Sequence, residues 1–387
     1  MRVLLSNKFY YRRGGDCVYT LNLERLLKER GHDVAVFSMR HPQNLSSQWE
    51  IYFPSYMSAP MALTRPFGSA EVRRKFSKLM RDFRPHVAHL NNIHTHLSPV
   101  IAQIAHRQGA RVVWTLHDYK LLCPRYDCLL DGKTACQACF GGDKRQCVSH
   151  RCIKGSLPAS IIGYREAVKW SREATQSCTD TFICPSRFMA RMMEQGGFDK
   201  GKLRVLCNFI DTNKCRRDSY DKSDYYCFVG RLSHEKGVRT LVEAASRLPY
   251  PLKIVGGGPL EDELKALAAP NVEFLGFKHW DEIKVIAGRA RFAVVPSEWY
   301  ENNPLSVIEA QCLGTPILGA RIGGIPELIE EGATGMTFES GDTDDLRRKI
   351  TLMFGHSFDY SEIARRAASR YDAQTYYDKL MAIYGGE

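Results

Sequence analysis

Short apolar runs, each closed by glycine or a turn, alternate along this chain with longer helical stretches. That alternation limits the fold more than any other feature. MRVLLSN is the first run; a turn at Gly14-Gly15 leads into VYTLNLERLLKERG, and DVAVFSM follows. HVAHLNN, RVVWTLHD and TFICPS continue the series. Runs this apolar belong to strands buried on both faces, as in parallel sheets covered by helices. The pattern pauses over KLRVLCNFID, residues 202–211. It restarts with YYCFVG, PLKIVGGG, NVEFLG, RFAVVPS, TPILGA and GMTFES. The chain therefore reads as α/β, with two facing doubly wound, Rossmann-like parallel sheets. Its 387 residues suit two domains. The first is expected over 1–206 and the second over 207–365, with a hinge near Cys207–Asp211.

Charge is unevenly divided. Residues 1–200 carry 30 lysines and arginines against 16 acids, and residues 201–387 carry 24 against 27. A basic first half implies an anionic ligand or surface, with nucleic acid and acidic lipid as candidates. No window approaches the ~18 uninterrupted apolar residues of a membrane span. The aliphatic run Val3–Leu5 is too short for a signal-peptide core. The expected place is the cytoplasm.

Ligands of such sheets sit beyond the C-terminal ends of the strands, so the residues after each strand carry the argument. After CFVG, at Gly230, come Arg231 and then Lys236, two cations placed for neighbouring phosphates before a helix. After LKIV comes GGGP, where Gly257 and Gly258 allow close backbone approach. Either turn alone is ordinary. After FAVVPS comes SEWYENNPLSVIEAQCLG, with Glu301 just before a helix and Glu309 inside it. Asn303 is expected as the cap and Pro304 as the first helical residue, which leaves the N–H groups of Leu305 and Ser306 for an anion. Glu309 can then accept bonds from a vicinal diol such as a ribose, and Glu301 from hydroxyls on the other side. A diphosphate between two hydroxyl-rich groups has the shape of a nucleotide sugar.

EAQCLGTPILGARIGGIPELI, together with GRLSHEKGV, VGGGP and the early RRGGD, resembles the large retaining glycosyltransferase family 4, of GT-B fold. The resemblance spans nearly the whole chain. It implies a transferase of EC 2.4 type that moves a hexose from a nucleoside-diphosphate sugar with retention, the leaving phosphate oxygen taking the acceptor's proton. Residues matching the family's donor site are Gly14, Gly15, Arg231, Lys236, Glu301 and Glu309. His117, in TLHDYK, matches a residue near the reacting sugar, with Asp118 as its expected orienting partner; His94 and His96 are weaker candidates. Asp16 stands where the family often has glutamate. A C-terminal helix, about 366–387, is implied to return to the first domain. No cofactor is implied for catalysis, and the family usually requires no metal.

The acceptor is open to several readings. EVRRKFSKLMRDFR, residues 71–84, sets Val72, Phe76, Leu79 and Phe83 on one face, with Arg73, Arg74, Lys78 and Arg81 beside it. WEIYFPSYMSAPMALTRPF precedes it. Either this is a core-packed helix or it docks on an anionic membrane. The docking reading leads to a lipid-linked or glycan acceptor, such as a polyprenyl-diphosphate oligosaccharide, in cell-surface polysaccharide synthesis. It places the enzyme on the inner face of the membrane. Six cysteines fall in the window 123–152, and Cys136, Cys139, Cys147 and Cys152 have the character of a structural zinc site. The alternatives to an enzyme are a non-catalytic nucleotide-sugar binder and a nucleic-acid-binding module. The motifs after the second set of strands speak against nucleic acid.

Overall fold

The computed structural model describes residues 1–56, 58 and 60–386. Met57 and Ala59 of the aromatic stretch before residue 71, and Glu387, the end of the C-terminal helix expected from the sequence, lie outside the described residues.

The chain divides into two compact units. The first comprises 1–131, 136–207 and 376–387; the second comprises 132–135 and 208–375. Apart from the short piece 132–135, the chain passes from the first unit to the second between Cys207 and Asn208.

Unit 1 is built on β1 (Arg2–Ser6), β2 (Asp33–Phe37), β3 (Val87–Leu90) and β4 (Arg111–Thr115). The two-residue strand β5 (Leu129–Leu130) follows; β6 (Thr134–Ala135) falls in the piece 132–135 of the second unit, and β7 (Thr181–Cys184) and β8 (Leu203–Val205) complete the first. The large sheet runs in the order β2-β1-β3-β4-β7-β8, every pair parallel. Its strand order reverses between β1 and β3. Val3, Leu4, Leu5, Val112, Val113, Phe182 and Ile183 are fully buried, which accounts for the uninterrupted apolar runs.

Unit 2 carries β9 (Tyr226–Val229), β10 (Leu252–Val255), β11 (Val272–Gly276), β12 (Ala293–Val295), β13 (Ile317–Ala320) and β14 (Gly335–Phe338). They form one parallel sheet in the order β11-β10-β9-β12-β13-β14, reversing between β9 and β12. This is the strand order of dinucleotide-binding sheets. Tyr226, Ile254, Phe292, Leu318 and Phe338 centre a core that the helices Val238–Ala245 and Thr343–Gly355 close.

The C-terminal stretch is not one helix. It breaks at Tyr371–Asp372 into Tyr360–Arg370 and Ala373–Gly385, and the Asp372 carboxylate accepts from the N–H groups of Gln374 and Thr375. Only the part from Tyr376 belongs to unit 1. There the Tyr384 hydroxyl lies 2.6 Å from His89 Nδ1, Tyr376 bonds the Tyr19 hydroxyl, and Arg111 donates to the Ile383 carbonyl.

The helix Ala70–Phe83 resolves one choice. Val72, Phe76, Leu79 and Met80 point into the unit 1 core, and Phe76 meets Phe37 edge-on. Its apolar face is therefore core and not a membrane face. Arg73, Arg74, Lys78 and Arg81 remain exposed. Among the described residues no helix is long and apolar enough to cross a membrane.

Candidate functional site

In unit 2 the expected groups gather where the strand order reverses. The helix Leu305–Cys312 follows β12, but Pro304, not Asn303, occupies the cap position. Proline there has no side chain to offer, and no side chain caps the helix start. Asn303 is used elsewhere: its Oδ1 accepts from the Asn208 N–H at 3.0 Å and its carbonyl accepts from the Asn208 amide at 3.0 Å. The Leu305 and Ser306 N–H groups have no protein acceptor among the described residues. An open helix start of this kind attracts an anion.

Glu301 is buried before that helix. Its Oε1 accepts from Lys236 Nζ at 2.6 Å and from Ser297 Oγ at 2.9 Å. Burial pushes its carboxyl up, but the Lys236 charge and hydrogen bond, with Trp299 and Ser297, outweigh this and hold it below the usual range. Sequence reading placed Lys236 on the diphosphate and Glu301 on the sugar without seeing that the two pair with each other. Arg231 is exposed and makes no ion pair or side-chain hydrogen bond among the described residues.

Glu309 is the opposite case. It lines a cavity with Val229, Val295, Ile283, Trp280 and Ser306, at the ends of β9 and β12. No protein group bonds its carboxylate among the described residues, and burial raises its pKa to about 7. A carboxylate kept from water with no partner is poised for hydroxyl donors.

The glycine turn after β10 behaves differently from the expectation. A Cβ on Gly256 would lie 1.9 Å from the Gly230 carbonyl oxygen, and one on Gly258 would lie 2.3 Å from that of Leu232. These two glycines are required by the close approach of the β9 loop. Gly257 has no such neighbour.

In unit 1 the helix Gly15–Glu29 starts after β1 with Gly14 as its cap and no capping side chain. A Cβ on Gly15 would meet nothing within 4 Å, and Asp16 keeps Oδ2 buried without a partner. His117, after β4, sits against the Tyr19 ring at 4.9 Å. Its Nε2 is 3.0 Å from Asn91 Oδ1. Burial, with Lys8 adding to it and Asp16 opposing, lowers His117 to about 4, so the ring is neutral at pH 7. Neutral imidazole bonded this way donates from Nε2 and keeps a lone pair on Nδ1. Asp118 does not orient it: Asp118 accepts from the Lys120 N–H at 2.9 Å. The partner is Asn91, after β3, which sequence reasoning passed over. Its signal was position: Asn91 follows a strand at the sheet's reversal. His94 stacks on Trp114 and His96 packs near Phe9, so both serve the domain's interior.

The cysteine window has almost no regular structure. Cys123, Cys136, Cys139, Cys147, Cys152 and His150 line one small cavity, and every thiol is free. Cys128 bonds Cys123, and Cys147 bonds Cys152. Among the described residues no group of three or more histidine, cysteine or carboxylate side chains is arranged to hold a metal ion.

Comparison with known proteins follows the same division. Residues 13–214 match the family described as Glycosyltransferase Family 4, and residues 210–370 match Glycosyl transferases group 1. An uncharacterised 42.6 kDa protein of the cps region of Klebsiella pneumoniae is 25% identical over 354 residues, 85% of this chain and 87% of its own. An uncharacterised glycosyltransferase of Methanocaldococcus jannaschii is 27% identical over 178 residues. That match covers 44% of this chain and about half, 49%, of the archaeal protein. D-rhamnosyltransferase WbpZ of Pseudomonas aeruginosa is 33% identical over 154 residues, 38% of this chain and 40% of its own. Among solved structures, Anabaena Alr3699/HepE in complex with UDP superposes over the whole of both chains with a TM-score of 0.71 at 16% identity. The two parallel-sheet units are those of GT-B glycosyltransferases, and the chain belongs to glycosyltransferase family 4 as a glycosyl-transferring enzyme.

Proposed function

We propose that the enzyme moves a hexose-type sugar from a nucleoside-diphosphate sugar to a glycan or lipid-linked acceptor, with retention at the anomeric carbon. The observation that carries this reading is the open helix start at Pro304–Leu305 set between a paired carboxylate, Glu301, and an unpaired one, Glu309. The helix start and the free guanidinium of Arg231 suit a diphosphate, and Glu309 suits the two hydroxyls of a ribose. Glu301, with its Lys236 partner, is proposed to meet the sugar, and neutral His117 to hydrogen-bond it. Catalysis is then mainly placement of reactants and stabilisation of the charge developing on the diphosphate. No protein base and no metal is assigned a step; the departing phosphate oxygen takes the acceptor's proton.

UDP or GDP is the proposed nucleotide; the Anabaena structures hold UDP and, in one case, UDP-glucose. Likeness to the cps-region and D-rhamnosyltransferase proteins supports a place in surface polysaccharide synthesis. The exposed cations of the helix Ala70–Phe83 support a peripheral contact with an anionic membrane at its inner face. Structural zinc in the cysteine cavity is kept as a proposal, supported by the shared cavity alone; metal analysis below a tenth of an equivalent removes it.

The test is a thermal-shift and hydrolysis screen over UDP-, GDP- and ADP-sugars, with Glu309→Ala and Arg231→Ala beside the parent. A shift for one nucleotide, lost in both variants, is expected. Equal shifts in parent and variants would overturn the site.

A further inference from the structure

Unit 1 carries a second cluster at the C-terminal ends of β1 and β2, in which Phe9 is buried and other rings and cations reach the surface. The loop after β1 presents Lys8, Phe9, Tyr11, Arg12 and Arg13; the loop after β2 presents Arg40 and His41. The Tyr11 ring stacks on His41 at 4.6 Å and 16°, and Tyr56, 54% exposed, lies 5.3 Å from the same imidazole. Phe9 lies under them, edge-on to both Tyr11 and His41. The Arg13 guanidinium sits 4.5 Å over the Phe9 ring. The result is a terrace of rings with cations at its border.

Hydrogen bonds tie the two loops together. The Leu45 N–H donates to the Tyr10 carbonyl at 2.9 Å, Ser38 Oγ donates to the Lys8 carbonyl, and the Tyr10 N–H donates to Asn44 Oδ1 at 3.3 Å. The Arg40 N–H donates to the Pro54 carbonyl at 2.8 Å, which fixes the segment leading to Tyr56. The Tyr10 hydroxyl donates to Glu24 on the helix Gly15–Glu29. A surface held this way loses little entropy when a ligand orders on it.

Its charges are unbalanced. Some other cations of this unit have carboxylate partners: Lys28 with Glu24, Lys78 with Asp82, Lys120 with Glu166, Arg125 with Asp127. Among the described residues no carboxylate pairs with Lys8, Arg12, Arg13 or Arg40. Asp16, at the start of the neighbouring helix, keeps its buried Oδ2 without a partner among the described residues. Exposed ring faces take the C–H face of a pyranose, and clustered guanidinium groups take a carboxylate or phosphate in a bidentate grip.

We propose that this terrace is the acceptor subsite and that the acceptor is an anionic glycan, a sugar carrying a carboxylate or phosphate near the hydroxyl that receives the transferred residue. The proposal rests on the glycosyltransferase reading and narrows it from any glycan to an acidic one. Tyr11, His41 and Tyr56 hold the sugar face, Arg12, Arg13 and Arg40 hold its charge, and Asp16 orients a hydroxyl at the start of the helix Gly15–Glu29.

The experiment uses the full chain and three probes: a glucuronic-acid-containing disaccharide, the same disaccharide with its carboxyl reduced, and vesicles carrying polyprenyl diphosphate. Binding is measured by calorimetry for the parent, the double variant Arg12→Ser/Arg13→Ser, and Tyr56→Ala; UDP and GDP are titrated in parallel. The acidic disaccharide is expected to bind at least tenfold tighter than its reduced form, with that preference lost in the double variant and both sugars weakened by Tyr56→Ala. Nucleotide affinity is expected to be unchanged, which separates failure here from failure of the donor reading. Binding of the vesicles alone, lost in the double variant, assigns the anion to the diphosphate. Equal binding of the acidic and reduced sugars with no vesicle binding overturns the proposal, as does an anion preference that survives the double variant.

Discussion

The places where strand order reverses in the two sheets handle charge in opposite ways. In unit 2 the cation Lys236 is bonded to Glu301, Arg231 stands free, and one carboxylate, Glu309, is buried alone. In unit 1 the cations Lys8, Arg12 and Arg13 stay unpaired, and the polar centre is a neutral histidine held by an amide. The sheets differ in order as well: unit 2 reverses between β9 and β12, and unit 1 between β1 and β3. A parallel sheet thus fixes where a ligand goes, and the side chains after the strands fix what kind. Unit 2 is arranged for a ligand with phosphates and a diol. Unit 1 has cations with nothing yet to neutralise them.

The contrast is broken most severely at Lys236. Lys236→Met leaves Glu301 buried without its cation, and losing one partner of such a pair costs ~3 kcal/mol or more. Urea denaturation of the free enzyme should show a lower midpoint, and turnover should fall with it. An unchanged midpoint would mean that the pair is not held in solution. Arg12→Ser, at a residue with no carboxylate partner among the described residues, should leave the midpoint where it is.

Glu309 comes next because its effect has two signs. Its folded pKa of about 7 lies above the ordinary carboxylate value. The folded state therefore holds this proton longer than the unfolded chain does. The stability it contributes is complete below the ordinary value and is lost as pH rises to about 7, on the order of 3–4 kcal/mol in all. Hydroxyl donors from a ribose favour the ionised form, so nucleotide affinity should rise with pH, by up to about tenfold per unit, and level off above 7. Glu309→Gln should remove both trends, steady the free protein near pH 8 and weaken nucleotide binding. If the affinity of the parent does not change between pH 5.5 and 7.5, no ligand meets this carboxylate.

How much of this was legible beforehand follows from the kind of signal involved. Eleven of the twelve strands in the two large sheets stand out as apolar runs because most of them are buried on both faces; the two-residue strands β5 and β6 carry no such signal. The exception is β8, three residues with Arg204 at its centre on a sheet edge, which has no such pattern. Arg231, Lys236, Glu301 and Glu309 were legible because a strand end and a helix start position them from their own neighbourhood in sequence. The partners were not. Lys236 meets Glu301 across 65 residues, His117 meets Asn91 across 26, and Asn303 meets Asn208 across 95. Only the fold brings these pairs together. The same limit explains the cap: NNP offers two asparagines and a proline, and which one ends at the helix start depends on Asn303 being drawn to a distant backbone N–H.

Asn91 allows a smaller test of the unit 1 side. Asn91→Leu leaves His117 Nε2 buried without its partner, at a cost of about 1–3 kcal/mol. The ring also loses what fixes its tautomer. The expected result is a fall in kcat of roughly tenfold with little change in KM for the donor, since positioning and not binding is lost. Asn91→Asp should recover part of kcat at high pH by accepting the same Nε2 proton. A KM effect equal to the kcat effect would place Asn91 in contact with substrate.

The smallest expected effect concerns where the surplus charge of unit 1 acts. The helix Ala70–Phe83 uses its apolar face for the core, so any membrane contact it makes is electrostatic, about 1 kcal/mol per cation near an anionic surface. Lys78 is already paired with Asp82, which leaves Arg73, Arg74 and Arg81. Reversing those three should cut binding to phosphatidylserine vesicles at low salt and do little at 0.5 M, where charges more than a few ångströms apart are screened. Transfer to a soluble acceptor should not change. If the triple reversal leaves vesicle binding intact while Arg12→Ser/Arg13→Ser abolishes it, the basic surplus acts at the aromatic terrace and the helix is only a solvated wall of the domain.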